Sequence, residues 1–438
     1  MTSTLNYNVI LVCSVFSFLF LFFLFLSNGN RAFAAPVLKD PSFKLDMVVN
    51  GLSRPTGISF LGPNDFLVIE EDTGKVKRVI NGQVTQTILD LPVSTTDSRG
   101  LLGIDSVVTG GGNTFVFLYF TESSTGSDGG DPIGNRLYRF ELINNHLVNP
   151  KLLLDLPSGP GSKDNGGPVL IGPDNNVYSV IGQVAGDNEN GHQTQAQNFE
   201  NGPDADGTSG IHRVTQDGNI VGSGILGSTR PLSTYYAYGI RNSFGMDFDP
   251  LTGNLWDTEN GPNFGDEINL VAPGFNSGWK DVMGLAPSGF NFNGLATFNG
   301  KGIYSDPEFV WKNTVAPTAL LFFNSDKFGA EYKNDIFVGD YAYGRIYHFK
   351  LNSQRDALLL NGPLADRQAD SDSELQGVIF GEGFGVPTAM KIGPDGMLYV
   401  VSLRDGAVYK ISRTIDGGGG GGSGGTCQKL PIGNIAAI

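Results

Sequence analysis

The feature that most constrains this chain is a weak internal repeat. An apolar strand runs into a turn built from Gly, Pro, Asp or Asn, and an alternating strand carrying an aromatic residue follows. Gly57 to Ile69, Pro168 to Ile181, Gly245 to Trp256 and Met390 to Val401 share this pattern. Ala319 to Val338 is a longer version with Lys333-Asn334 in its turn. Third strands follow at Gly74 to Val79, Arg136 to Leu142, Gly344 to Lys350 and Gly406 to Ile411. Short strands that recur with turn signals between them point to small sheets repeated around an axis. The expected fold is therefore all-β: a six-bladed β-propeller of four-stranded antiparallel sheets over Leu45 to Ile411. Each blade would take about 60 residues, enough for inserted loops. The longest insertions, Glu122 to Ile133, Gly182 to Gly210 and Asp281 to Phe298, would gather over a site on one face. Glycine supplies 62 of 438 residues, about twice its usual share of ~7%, which suits a fold of many tight turns.

The ends of the chain read differently. Val9 to Leu26 is apolar apart from Ser14 and Ser17, and Ala32-Phe33-Ala34 follows as a small-residue cleavage pattern. Residues 1–34 are expected to be a signal peptide or an N-terminal membrane anchor, either of which places the globular part outside the cytoplasm. Residues 35–44 form a lead-in. Residues 412–438 form a Gly-rich tail, flexible through Gly417 to Gly425. Cys13 and Cys427 lie in these end segments, so the region between them has no disulfide to support it. A chain of this length can bury enough surface to do without one.

The charge balance is acidic, with 29 Lys and Arg against 44 Asp and Glu, and no basic block occurs. That argues against nucleic acid and against an anionic membrane surface as partners. Membrane contact would come only through the N-terminal segment. An acidic surface is compatible with divalent cations, and it also keeps an exported protein soluble.

The densest chemistry lies between Tyr238 and Trp279. Phe244 to Phe248 and Asn254 to Asp257 read as strands joined by the turn Asp249 to Gly253. Around them sit Arg241, Asn242, Glu259, Asn260, Asp266 and Glu267. Polar groups at this density belong at strand ends or in loops over a site. Gly261-Pro262 leaves its carbonyls open, because Pro lacks an N–H and Gly lacks a side chain. Those carbonyls with Asp266 and Glu267 make an all-oxygen set, which suits Ca2+.

This segment resembles the glucose/sorbosone dehydrogenase family, the soluble quinoprotein sugar dehydrogenases. The resemblance extends from about Leu45 to Ile411. It includes Arg99 to Gly103, Asp164-Asn165-Gly166-Gly167, Ala316-Pro317-Thr318 and Ile392 to Tyr399. It implies a pyrroloquinoline quinone (PQQ) cofactor bound by Arg241 and Asn242. It implies a calcium on the Gly261 and Pro262 carbonyls that also holds PQQ, and a second calcium helped by Asp266 and Glu267. The implied substrate is a sugar or polyol, with an external electron acceptor.

The resemblance also exposes departures. The family's general base is a His in a His-x-Gly-Gly context, and Asp164 stands in its place. A carboxylate can accept a proton, but its ordinary pKa of about 3.9 makes it weak without tuning; otherwise Asp164 caps a turn or binds a cation. The family Lys that holds PQQ corresponds to Ala342, and Gly385 to Met390 lacks the expected Arg residues. Phe244 replaces a Gln beside the Arg-Asn pair, and Ser98 or Arg99 replaces another near the quinone. PQQ carries three carboxylates that need balancing charge. Arg241, the calcium and Arg99 are the candidates that remain. Of the four histidines, His212 and His348 read as strand residues and His146 as a turn residue; His192 is the one whose loop could reach the site. Gly186 to Asn190 and Asp204-Ala205-Asp206 are further candidate calcium loops.

Three functions compete on these residues. The first is an exported PQQ-dependent oxidoreductase that oxidises a sugar hydroxyl through a calcium-bound quinone, with Asp164 as base. The second is a catalytically degenerate, calcium-stiffened propeller that binds carbohydrate or protein. The third is a metal-dependent, lactonase-like propeller hydrolase. The fold hosts all of them and does not choose.

Overall fold

The computed structural model describes residues 35–185 and 191–414. The expected signal or anchor segment, the Gly186 to Asn190 loop and nearly all of the tail lie outside them.

Six sheets surround one axis. Blade 1 is Pro55–Gly62, Asp65–Glu70, Lys75–Ile80 and Gln83–Asp90; blade 2 is Leu101–Val108, Thr114–Ser123, Pro132–Ile143 and His146–Leu156. Blade 3 begins with Val169–Ile171, Val177–Ile181, Gly210–Val214 and Tyr235–Tyr238, and blade 4 with Ser243–Phe248, Leu255–Glu259, Asp266–Val271 and Phe309–Trp311. Blade 5 is Pro317–Phe322, Ile336–Asp340, Ile346–Phe349 and Ile379–Glu382. Blade 6 is Pro387–Ile392, Leu398–Ser402, Ala407–Arg413 and, from the start of the chain, Phe43–Val49. The described helices are all short 3-10 turns.

Three sheets exceed the expected four strands. Blade 3 adds Phe275–Asn276 and Ile303–Tyr304, and blade 4 adds Gln368–Ala369, all paired in parallel. Val37–Leu38, within the lead-in, pairs antiparallel with Ile379–Glu382 of blade 5. His146 starts a strand rather than occupying a turn. The Glu122 to Ile133 insertion is shorter than expected, because strands claim both of its ends.

Both faces of each blade are buried against a neighbour, so strands read as continuous apolar runs. In blade 1, Phe66 and Val68 join the cluster shared with blade 6, while Leu67 and Ile69 join the one shared with blade 2. Six such clusters, one at each blade junction, make up the propeller's core. In blades 3 and 6 the repeat's aromatic residue has a specific job. Tyr178 and Tyr399 each donate to the aspartate four residues earlier, Asp174 at 3.0 Å and Asp395 at 3.1 Å, and so staple the turn to its strand.

The innermost strands crowd the axis. A Cβ on Gly103 would lie 2.1 Å from the Gly167 carbonyl oxygen, so only glycine fits there. The axial cavity is about 60 Å³, lined by Ile58, Leu102, Val169, Met246, Leu320 and Lys391 among others. Phe244 also lines it, and its ring packs on Gly167. The axis is a packed core, and the site lies at one end of it.

Candidate functional site

Gly182 is where the site is drawn together. A Cβ there would come within 2.4 Å of the Arg241 carbonyl oxygen and 2.6 Å of the Asp164 carbonyl oxygen. Its absence lets the loop between blades 2 and 3 meet the link between blades 3 and 4. Gln183 N donates to Arg241 O at 2.8 Å, and Asn260 N donates to Asn242 O at 2.7 Å.

Asp164 and Arg241, each named separately as a site residue from the sequence, meet in the structure. Arg241 Nη2 lies 3.6 Å from Asp164 Oδ2, and both side chains are buried. Asp164 adopts a left-handed backbone, φ 59°, which Asp tolerates better than most residues. Its Oδ2 also accepts from Gln183 Nε2 at 2.9 Å, and Trp279 Nε1 donates to Gln183 Oε1 at 2.9 Å. Arg241 Nη1 donates to the Asn260 carbonyl at 2.9 Å, and its guanidinium sits 5.6 Å from the Trp279 ring centre. The Oδ1 atoms of Asn242 and Asn260 are buried without a hydrogen-bond partner. Among the described residues the Gly261 and Pro262 carbonyls accept no hydrogen bond either.

Four sequence assignments need correction. Asp266 and Glu267 do not converge, because successive residues of a strand point to opposite faces. Asp266 turns toward blade 5 and accepts from Val315 N, Ala316 N and Gly261 N at 2.6, 2.7 and 2.8 Å. Glu267 turns toward blade 3 and accepts from Gly284 N at 2.6 Å and Asn269 Nδ2 at 3.1 Å. Among the described residues no three Asp, Glu, His or Cys side chains form a metal-binding group. Arg99 is a strut rather than a site cation: its Nη2 donates to the Ser158 and Gly161 carbonyls at 2.7 and 2.8 Å, bracing the loop that carries Asp164. His192 is also a strut, with Nδ1 on Asp206 and Nε2 on the Gly159 carbonyl. Burial alone would lower its pKa, but those two acceptors raise it, which favours imidazolium over a free base. Asp206, a candidate calcium ligand, is occupied by His192 and Thr208.

Asp266 thus braces the loop whose carbonyls are open. Asp266→Ala strands three backbone donors, and we expect a loss of about 3 kcal/mol or more in denaturant unfolding. Unchanged stability would mean that the loop is held some other way.

Sequence reasoning missed Gln183 and Trp279, and it undervalued the interior of blade 4. Asp257, Glu259 and Glu267 are fully buried on one face of adjacent strands. Burial pushes Asp257 up to about 7, against the effect of neighbouring Asn269 and Ser243. Burial, then each other's charge or that of Asp257, raises Glu259 and Glu267 as well. A folded pKa above the unfolded ~3.9 stabilises the fold below that value, and the gain is lost as pH rises toward 7. For Asp257 the span is roughly 4 kcal/mol. His212 works the other way: burial pushes it down to about 4, so its contribution grows as pH rises toward ~6.5. Asp257→Asn removes this group and its charge on Glu259 and Glu267. The variant's advantage over wild type in melting temperature should be larger at pH 8 than at pH 5. Parallel melting curves across that range would contradict the buried, protonated Asp257.

Comparisons with known proteins place the chain in a family. The family model described as Glucose / Sorbosone dehydrogenase matches residues 52–410. Quinoprotein glucose dehydrogenase B of Acinetobacter calcoaceticus is 27% identical over 340 residues, covering 70% of this chain and 69% of that protein. An aldose sugar dehydrogenase of Escherichia coli K12 is 31% identical over 182 residues, 40% of this chain and 43% of that protein. The PQQ-bound aldose sugar dehydrogenase of Streptomyces coelicolor superposes with a TM-score of 0.60 at 21% identity, covering 86% of this chain and 99% of that one, a likeness of fold. With its model spanning all six blades, the chain belongs to the glucose/sorbosone dehydrogenase family.

Proposed function

We propose that this protein is an exported PQQ-dependent dehydrogenase that oxidises a hydroxyl of an aldose or related sugar. The observation that carries the reading is the buried contact between Asp164 and Arg241. It sets a proton acceptor beside a fixed cation at the end of the propeller axis. Export rests on the apolar run Val9 to Leu26 and the Ala32-Phe33-Ala34 pattern.

The residues present fit the cofactor in part. Arg241 supplies positive charge, and Asn242 and Asn260 offer buried amide groups whose oxygens are unpartnered. The open Gly261 and Pro262 carbonyls suit a calcium ion, with Asp266 bracing their loop. PQQ, when bound, supplies the two-electron acceptor for the hydride that leaves the sugar carbon. Asp164 takes the hydroxyl proton, and Arg241 orients the carboxylate and holds charge near it. Trp279 and Gln183 pack against the pair and help keep it buried. Cations that the family places at Ala342 and in Gly385 to Met390 are missing, so PQQ is expected to bind weakly.

The test is titration of purified protein with PQQ and Ca2+, followed by absorbance. A bound-quinone spectrum that changes on adding aldose is the expected result. No bound spectrum and no aldose-dependent reduction would end this reading.

A further inference from the structure

We propose that Gln183 is the positioning residue for Asp164, and that Trp279 determines which end of the Gln183 amide faces it. This rests on the reading of Asp164 as proton acceptor. The argument is one of hydrogen-bond inventory. An indole N–H only donates, so the group 2.9 Å from Trp279 Nε1 is the Gln183 carbonyl oxygen. The amide NH2 then faces Asp164 Oδ2, at 2.9 Å. Gln183 is 1% exposed, so turning the amide would bury two mismatched contacts. Trp279 is itself held: its N donates to Gly239 O at 2.9 Å, and its carbonyl accepts from Asn198 Nδ2 at 2.8 Å.

The arrangement meets a need created by the sequence. Asp164 sits in an irregular loop with a left-handed backbone, so its main chain does little to aim the carboxylate. Gln183 lies two residues beyond the strand Val177–Ile181, and its backbone N donates to Arg241 O at 2.8 Å. One buried residue just past a strand end therefore registers the proposed base against Arg241.

Gln183→Glu and Gln183→Leu test this together with Asp164→Asn. In Gln183→Glu, Trp279 still fixes one oxygen, and the other confronts Asp164 Oδ2. Two carboxylates at that spacing share a proton, so the acidic limb of the kcat profile should move up by about one pH unit or more. Gln183→Leu should lower kcat about 10- to 100-fold with KM little changed. The second readout needs no cofactor. The chain has three Trp residues, and the indole N–H groups of Trp256 and Trp311 have no partner. The hydrogen-bonded indole resonance of Trp279 should stand apart in a 15N–1H spectrum. It should move in Gln183→Leu, follow pH in wild type, and lose that pH response in Asp164→Asn. If Asp164→Asn stays fully active while these shifts appear, the base reading fails and the Gln183 link survives. If Gln183→Glu leaves the pH limb in place, or Gln183→Leu leaves the indole resonance unmoved, the positioning role is wrong.

Discussion

Asp164→Asn is expected to reduce sugar oxidation by about 10²- to 10⁴-fold, the usual contribution of a positioned acid–base group. The substitution keeps size, tolerance of the left-handed backbone and an oxygen for Gln183, so the fold should be unchanged. The capacity to accept a proton at that oxygen is lost, together with the charge that faces Arg241. Steady-state rates with PQQ, Ca2+ and an artificial electron acceptor measure it, and melting temperature checks the fold. Asp164→His is the informative partner. His also tolerates this backbone region, and imidazole titrates nearer neutral pH, so oxidation should rise at pH 7. Full activity in Asp164→Asn would remove Asp164 from the chemistry.

The fold was legible in the sequence because its signals are local. Five of the six inner strand pairs announce themselves through a turn and a following aromatic. Blade 2 did not, because its inner hairpin turns through Thr109 to Asn113, where three glycines replace the Pro-Asp pattern. The extra parallel strands also escaped notice, since each is two residues long and gains its place only from tertiary neighbours.

The site was half legible. Arg241, Asn242 and Asp164 could be named from their motifs, and Asp164 and Arg241 do meet. The pairing of Asp266 with Glu267 failed because adjacency in sequence was taken as adjacency in space, which a strand forbids. Gln183 was missed although a signal existed. In every blade the second strand ends in, or is closely followed by, a buried polar residue: Glu70, Ser123, Gln183, Glu259, Asp340 and Ser402. Apolar runs that finish on a polar residue mark the strand ends, and two of these six residues, Gln183 and Glu259, bond directly to Asp164 or Arg241. Reading that pattern requires knowing which strands are equivalent, and the repeat is too weak to align them by eye.

Deleting residues 35–50 is expected to abolish the folded state. Phe43–Val49 is the outer strand of blade 6, paired antiparallel with Ala407–Arg413, so the start of the chain closes the ring. Without it, Ala407–Arg413 becomes an open edge, prone to pairing with other chains. Phe43 contributes most to packing: its ring lies 4.7 Å from Phe328, 5.1 Å from Phe380 and 5.3 Å from Tyr332, bridging blades 5 and 6. Losing a buried Phe side chain costs about 3–5 kcal/mol. Val49 and the blade 5 pairing of Val37–Leu38 go with it. Total stability of a folded protein is typically ~5–15 kcal/mol, so the combined loss consumes most of the margin. Phe43→Ala separates packing from closure: it should remain folded, with stability lower by about 3 kcal/mol in denaturant melts. A truncated chain that stayed monomeric and melted like wild type would show that the ring holds without its closing strand.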